Sequence, residues 1–174
     1  MPKPDVGATA LLERFHITDP PVPVETIARN LGVFVVRDRL RSDISGMLYR
    51  EGDRTIIGLN DYQPPLRQRF TIAHELAHLT LHPGRAVHVD RNVRVNFRDA
   101  ESGKASRWEE IEANAFAAEL LMPRSMVQRA VRNAVDRKIN REDQLIAELS
   151  KIFDVSRQAM ELRLVNLGVI HPPA

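Results

Sequence analysis

Three observations predict an α+β fold. Strand-like runs of β-branched and other apolar residues are concentrated at positions 33–59. Helical periods with clear start and stop signals flank that block, most of them after Pro64-Pro65. The order is therefore helix, strands, then helices, rather than a regular strand–helix alternation. The chain has 174 residues, 43% of them hydrophobic, enough to bury a real core.

Residues 5–16 read as a short helix, followed at 19–23 by a connector that three prolines keep out of helix. Residues 24–31 form a helix that Gly32 ends. Residues 33–36 are a strand, and 44–49 and 55–59 are two more. Glu51-Gly-Asp-Arg54 supplies the turn chemistry of a hairpin between the last two. The expected product is a small antiparallel sheet packed on the helix that Pro64-Pro65 opens, since proline is tolerated in a first helical turn. After Pro83-Gly84, Val87 and Val89, then Val93, Val95 and Phe97, alternate with polar residues and allow a second hairpin. Residues 99–106 read as a loop. From Trp108 to Met122 helix returns, with Ile111, Ala115, Ala118 and Met122 on one stripe. Residues 125–138 and 142–153 are further helices, and Ser156 is the N-cap of a last one ending at Gly168. The division expected is a core at 1–123 and a C-terminal helical extension at 124–174 packed on it.

The helix after Pro65 carries His74-Glu-Leu-Ala-His78. Histidines four apart project from one helical face, one turn apart, so both imidazoles can reach one zinc ion, and the intervening Glu75 can take a proton from an activated water. With no cysteine in the chain, disulfides and thiolate zinc sites are excluded, and histidines with carboxylates are the strong zinc ligands available.

A catalytic zinc needs a third protein ligand. His82 shares the face of His74 and His78 but lies two turns, about 12 Å, beyond His74 along the axis, which disfavours it. The extended motif with a third histidine six after the second fails, because position 84 is Gly84 and position 81 is Leu81. His88 falls in an expected loop, and His16 and His171 lie near the chain ends. The helix starting near Trp108 offers Glu109, Glu110 and Glu112 instead. Glu110 and Asn114 are i,i+4 neighbours, so Asn114 can support a metal-bound histidine from behind. Glu112 points about 160° away from Glu110, so the two cannot both be ligands.

The segment Arg-Phe-Thr-Ile-Ala-His-Glu-Leu-Ala-His at 69–78, with Glu-Ile-Glu-Ala-Asn-Ala-Phe-Ala-Ala-Glu-Leu-Leu-Met-Pro at 110–123, resembles the ImmA/IrrE metallopeptidase family. Pro-Val-Pro-Val-Glu-Thr-Ile-Ala at 21–28, Ile-Ser-Gly at 44–46 and the tail at 152–168 resemble it too, so the likeness covers about residues 20–168. It implies a zincin-like fold and cleavage of repressor-like, helix-turn-helix regulators, releasing stress-response or mobile-element genes. Carried over residue by residue, it implies His74, His78 and Glu110 as zinc ligands and Glu75 as the base, with Glu112 the fallback for the third ligand. Manganese is an alternative metal in vitro.

The resulting expectation is a zinc endopeptidase. Its peptide substrate would lie extended along an edge strand, 44–49 or 55–59, and Tyr49, Tyr62 or His88 would assist the oxyanion. The rival is a zinc-bearing regulator or antitoxin-type protein that binds a partner without cutting it, against which an intact Glu75 argues. The tail at 149–167 is helix-turn-helix-like. Over residues 142–168 the acids Glu142, Asp143, Glu148, Asp154 and Glu161 oppose Lys151, Arg157, Arg163 and the nearby Arg141, so direct DNA binding is not expected. The basic stretch from Arg124 to Arg141 is expected to be a solvated face, the alternative being a contact to nucleic acid or to an acidic partner. No apolar stretch is long enough to span a membrane and no secretory signal is evident, so a cytoplasmic protein is expected.

Overall fold

Strands β1 (Val33–Asp38), β2 (Ile44–Glu51), β3 (Arg54–Asn60) and β4 (Val87–Arg91) form one sheet in the order β1-β3-β2-β4. The computed structural model describes residues 4–82, 87–91, 100–139 and 141–172. The expected hairpin is β2–β3, with Glu51 opposite Arg54 and Gly52 at φ +55°, a left-handed value that glycine adopts without strain.

The sheet is mixed, not antiparallel as the sequence suggested, because β1 runs parallel to β3. The connection from β1 to β2 steps across the end of β3 instead of turning back beside β1. Asn60 holds it there: its buried side-chain amide donates to the carbonyls of Arg41 and Ile44 at 3.1 and 2.8 Å. A second consequence overturns an expectation. Strands β2 and β3 are interior, so neither offers a sheet edge; β1 and β4 flank the sheet among the described residues.

Side-chain alternation sorts the sheet into two faces. Val33, Leu48, Ile57 and Leu59 are buried, whereas Phe34 is 61% exposed on the opposite face. Against the inner face lies α3 (Pro65–Leu81), buried continuously from Thr71 to His78. The approach is close at Gly46, where an added Cβ would sit 2.4 Å from Thr71 Cγ2. Helices α1 (Pro4–Arg14) and α2 (Val24–Asn30) pack on this layer, and α4 (Ala100–Leu121) lies along both α1 and α3.

Helix α4 differs from expectation twice. It begins at Ala100, so most of the segment read as a loop is helix. Ser, Gly and Lys there suggested a turn, but the segment simply extends the frame of a strongly anchored helix. Its buried stripe is Ala113, Phe116, Ala117, Leu120 and Leu121, while Ile111 is 48% exposed and Ala115 is also exposed. The bulk of Phe116 and Leu120 sets which face turns inward. Of the second hairpin, β4 forms and pairs antiparallel with β2; Val93, Val95 and Phe97 lie outside the described residues.

Helices α5 (Arg124–Asp136), α6 (Glu142–Phe153) and α7 (Arg157–Asn166) follow. Ser156 caps α7 by accepting from the Ala159 amide at 3.1 Å. The buried apolar set runs unbroken past residue 123, through Met126, Val127, Phe153, Met160 and Leu164. Arg69 of α3 donates to the Asp154 carbonyl at 3.1 Å and pairs with its carboxylate, tying the α6–α7 turn to the histidine-bearing helix. Arg163 is similarly committed, donating to the Met122 carbonyl and pairing with Glu119. No helix among the described residues is long and apolar enough to cross a membrane.

Candidate metal centre

Helix α3 delivers His74, His78 and His82 on successive turns of one face, all buried, and α4 brings carboxylates against them. The Nε2 atoms of His74 and His78 lie 3.1 Å apart. Glu110 places Oε2 3.2 Å from His74 Nε2 and Oε1 3.5 Å from His78 Nε2. Donor atoms bonded to one tetrahedral ion at about 2.0–2.2 Å stand about 3.3 Å from one another. The three residues thus have both the atom types and the spacing to hold a metal ion.

His78 and Glu110 stand in the deprotonated states that a metal ligand needs. Burial, then the neighbouring His88 and His74, hold the His78 pKa down at about 2, so the ring is neutral with a lone pair to give. Burial pushes the Glu110 carboxyl up, but hydrogen bonds to His74 and His88 prevail and hold it below the usual carboxylate range.

Each ring also has a neighbour at its far nitrogen. His74 Nδ1 is 3.2 Å from Asn114 Oδ1. His78 Nδ1 is 3.2 Å from His82 Nδ1, and His82 Nε2 is 2.9 Å from Glu112 Oε2. The structure therefore brings Glu110 to the histidine pair and Glu112 to His82, with the two acids reaching round opposite flanks of α4. His82 stays outside the cluster, as its axial distance requires.

His88 lies not in a loop but on β4, paired with Leu48 and facing inward. Its Nδ1 is 3.2 Å from Glu75 Oε2 and its Nε2 2.9 Å from Glu110 Oε1, with the ring stacked 3.7 Å from that of His78. Burial opposes charge on this ring, but the bonds to Glu110 and Glu75 prevail and raise its pKa to about 9. Tyr49 turns to the outer face of the sheet with its partner Val87, and Tyr62 is exposed beside Arg39. Of the three groups considered for oxyanion assistance, the site contains His88.

Glu75 is fully buried between α3 and the sheet. One neighbour the sequence reading missed is Arg50, which donates to the His78 carbonyl at 2.9 Å and the His82 carbonyl at 3.5 Å. Burial lowers the Arg50 pKa and the charge of Glu75 opposes that, so the two groups sense each other. Strand alternation carried the signal, since Arg50 shares the inward face with Leu48.

The model of the IrrE N-terminal-like domain, of the peptidase group M78, matches residues 28–165. A search of curated proteins returned no match. Among solved structures, a Mycobacterium tuberculosis transcriptional regulator is similar at TM-score 0.60 and 17% identity; the match covers 98% of this chain and 47% of that one. This chain thus spans about half the length of that regulator, and at such identity the likeness speaks for the fold.

Proposed function

From the premise that the chain belongs to the IrrE N-terminal-like family of peptidases, we propose that it is a zinc-dependent endopeptidase acting on a repressor-like regulatory protein. The observation that carries this reading is the convergence of His74 Nε2, His78 Nε2 and Glu110 beside the buried carboxylate of Glu75. His74, His78 and Glu110 would hold the zinc, with Asn114 supporting His74. Bound there, zinc would supply Lewis-acid polarisation of the scissile carbonyl and acidify water toward a pKa of about 7.

Glu75 takes a proton from the attacking water as its oxygen bonds to the carbonyl carbon. It passes that proton to the amide nitrogen as the C–N bond breaks, leaving an amine and a carboxylic acid, whose remaining proton the amine takes up in solution. An acid inserted between two ligand histidines and pointing at the sheet is placed for proton transfer; a metal site with a purely structural role needs no such group. His88, whose Nδ1 lies 3.2 Å from Glu75 Oε2, is assigned to the developing oxyanion. Arg50 fixes the last turn of α3 and adds positive charge on the Glu75 side.

An extended substrate is best accommodated beside β4, the flanking strand that carries His88, where main-chain hydrogen bonds would be tolerant of sequence. A repressor-like substrate follows from the family resemblance, and release of stress-response or mobile-element genes would be the outcome. The tail supports a docking or fold-completing role over DNA reading, because Arg163 is engaged by Glu119 and Met122. A cytoplasmic location belongs to the same proposal.

The test is metal content. Purified protein should bind one zinc per chain, and His74→Ala, His78→Ala and Glu110→Ala should each lose it. Full occupancy in Glu110→Ala would remove Glu110 from the ligand set, and absence of zinc binding by the parent protein would end the proposal.

A further inference from the structure

Behind His78 stands a chain of polar groups that reaches the protein surface. His82, buried, lies at 3.2 Å on the far nitrogen of His78, and Glu112, partly open to solvent, lies at 2.9 Å on the far nitrogen of His82. We propose that Glu112 and His82 form a carboxylate–imidazole relay that fixes the tautomer and orientation of His78, making both positioning residues for the metal site. The inference rests on the metal-site reading above.

The proton count follows from what each group can donate. A carboxylate accepts, so His82 Nε2 carries the hydrogen that faces Glu112. A neutral His82 then has its lone pair on Nδ1, and the group opposite it, His78 Nδ1, must be the donor. That leaves the His78 lone pair on Nε2, the atom that faces His74 and Glu110. In the other tautomer His78 would direct an N–H at the metal position. His74 is set in the same sense by a simpler device, with the Asn114 amide oxygen as acceptor at its Nδ1. Metal-bound histidines commonly rely on such acceptors behind them.

The relay is held stiffly. The His82 amide donates to the His78 carbonyl at 3.2 Å, closing the final turn of α3. Arg50 grips the carbonyls of both residues from the sheet side. The two imidazoles that pass the bond along are therefore fixed in backbone as well as in side chain.

Two measurements on the full chain decide it. In metal-free protein, long-range 1H–15N spectra should show His78 in the Nδ1–H tautomer, and Glu112→Ala should turn it into a mixture. With zinc and a competing chromophoric chelator, Glu112→Ala should weaken binding about 10–100-fold, and Glu112→Gln, which keeps an acceptor oxygen, should recover part of that. The melting temperature of metal-free Glu112→Ala should match the parent, because Glu112 is half-exposed. In a His82→Gln background, Glu112→Ala should add nothing further. Zinc affinity within about twofold of the parent in Glu112→Ala, or losses that add in the double variant, would overturn the relay while leaving the metal site intact. A parent protein that shows the Nδ1–H tautomer yet binds no zinc would instead sink the metal reading, and the relay's role with it.

Discussion

Arg50 donates from the interior strand β2 to the carbonyl of His78 at 2.9 Å, clamping the sheet to the last turn of the helix that carries the candidate ligands. A cation at a helix C-terminus also complements the helix dipole. Arg50→Ala should therefore lower the unfolding free energy by about 2 kcal/mol, the range for hydrogen bonds to charged groups. Urea denaturation checks this, and Arg50→Lys should recover only part because one ammonium cannot span both carbonyls.

Gly46 marks a close approach of sheet and helix. Gly46→Ala would set a methyl 2.4 Å from Thr71 Cγ2 and 3.0 Å from the Gly58 carbonyl. A cost of about 1–3 kcal/mol is expected for such overpacking. Thr71→Ser removes the nearer methyl, so the double variant should be more stable than Gly46→Ala alone, as measured by thermal unfolding.

Glu25 joins α2 to β1 through Arg37 at 2.7 Å and also pairs with Arg29. The Arg37 hydrogen bond, joined by Arg29, brings its pKa down to about 2 from 4.5. The folded value lies below the unfolded one, so the stabilisation is present above about pH 4.5 and fades as pH falls toward 2. The groups face solvent, which limits the effect to about 0.5–1 kcal/mol. Glu25→Gln should be less stable than the parent at pH 7, with the gap narrowing between about pH 5 and 2 in urea titrations.

The elements of the fold were legible where the signal is local. The i,i+4 spacing of His74 and His78, the prolines at 64 and 65, the turn at Gly52 and the cap at Ser156 each announce a structure by their own chemistry. What failed depends on distant partners. The parallel placement of β1 requires the Asn60 side chain to bridge a connection sixteen or more residues earlier in the chain. The inward face of α4 depends on where Phe116 seats, which the apolar period around Ile111 does not reveal. For the site, the family resemblance pointed to Glu110, but helical geometry alone left Glu112 open. The place of His88 follows only from the pairing of β4 with Leu48, and the use of Arg50 only from the end of α3 lying above its strand.

The most direct test of the central claim is cleavage by Glu75→Gln. The protein, loaded with zinc, is incubated with the repressor-like product of a neighbouring gene, and the fragments are followed by mass spectrometry. The account predicts cutting by the parent. In Glu75→Gln, which should bind zinc and fold like the parent, the rate should fall by about 10²-fold or more, the scale of a lost general base. Cleavage by Glu75→Gln at the parent's rate would contradict the role given to Glu75, and a zinc-loaded parent that binds the repressor without cutting it would contradict the peptidase assignment.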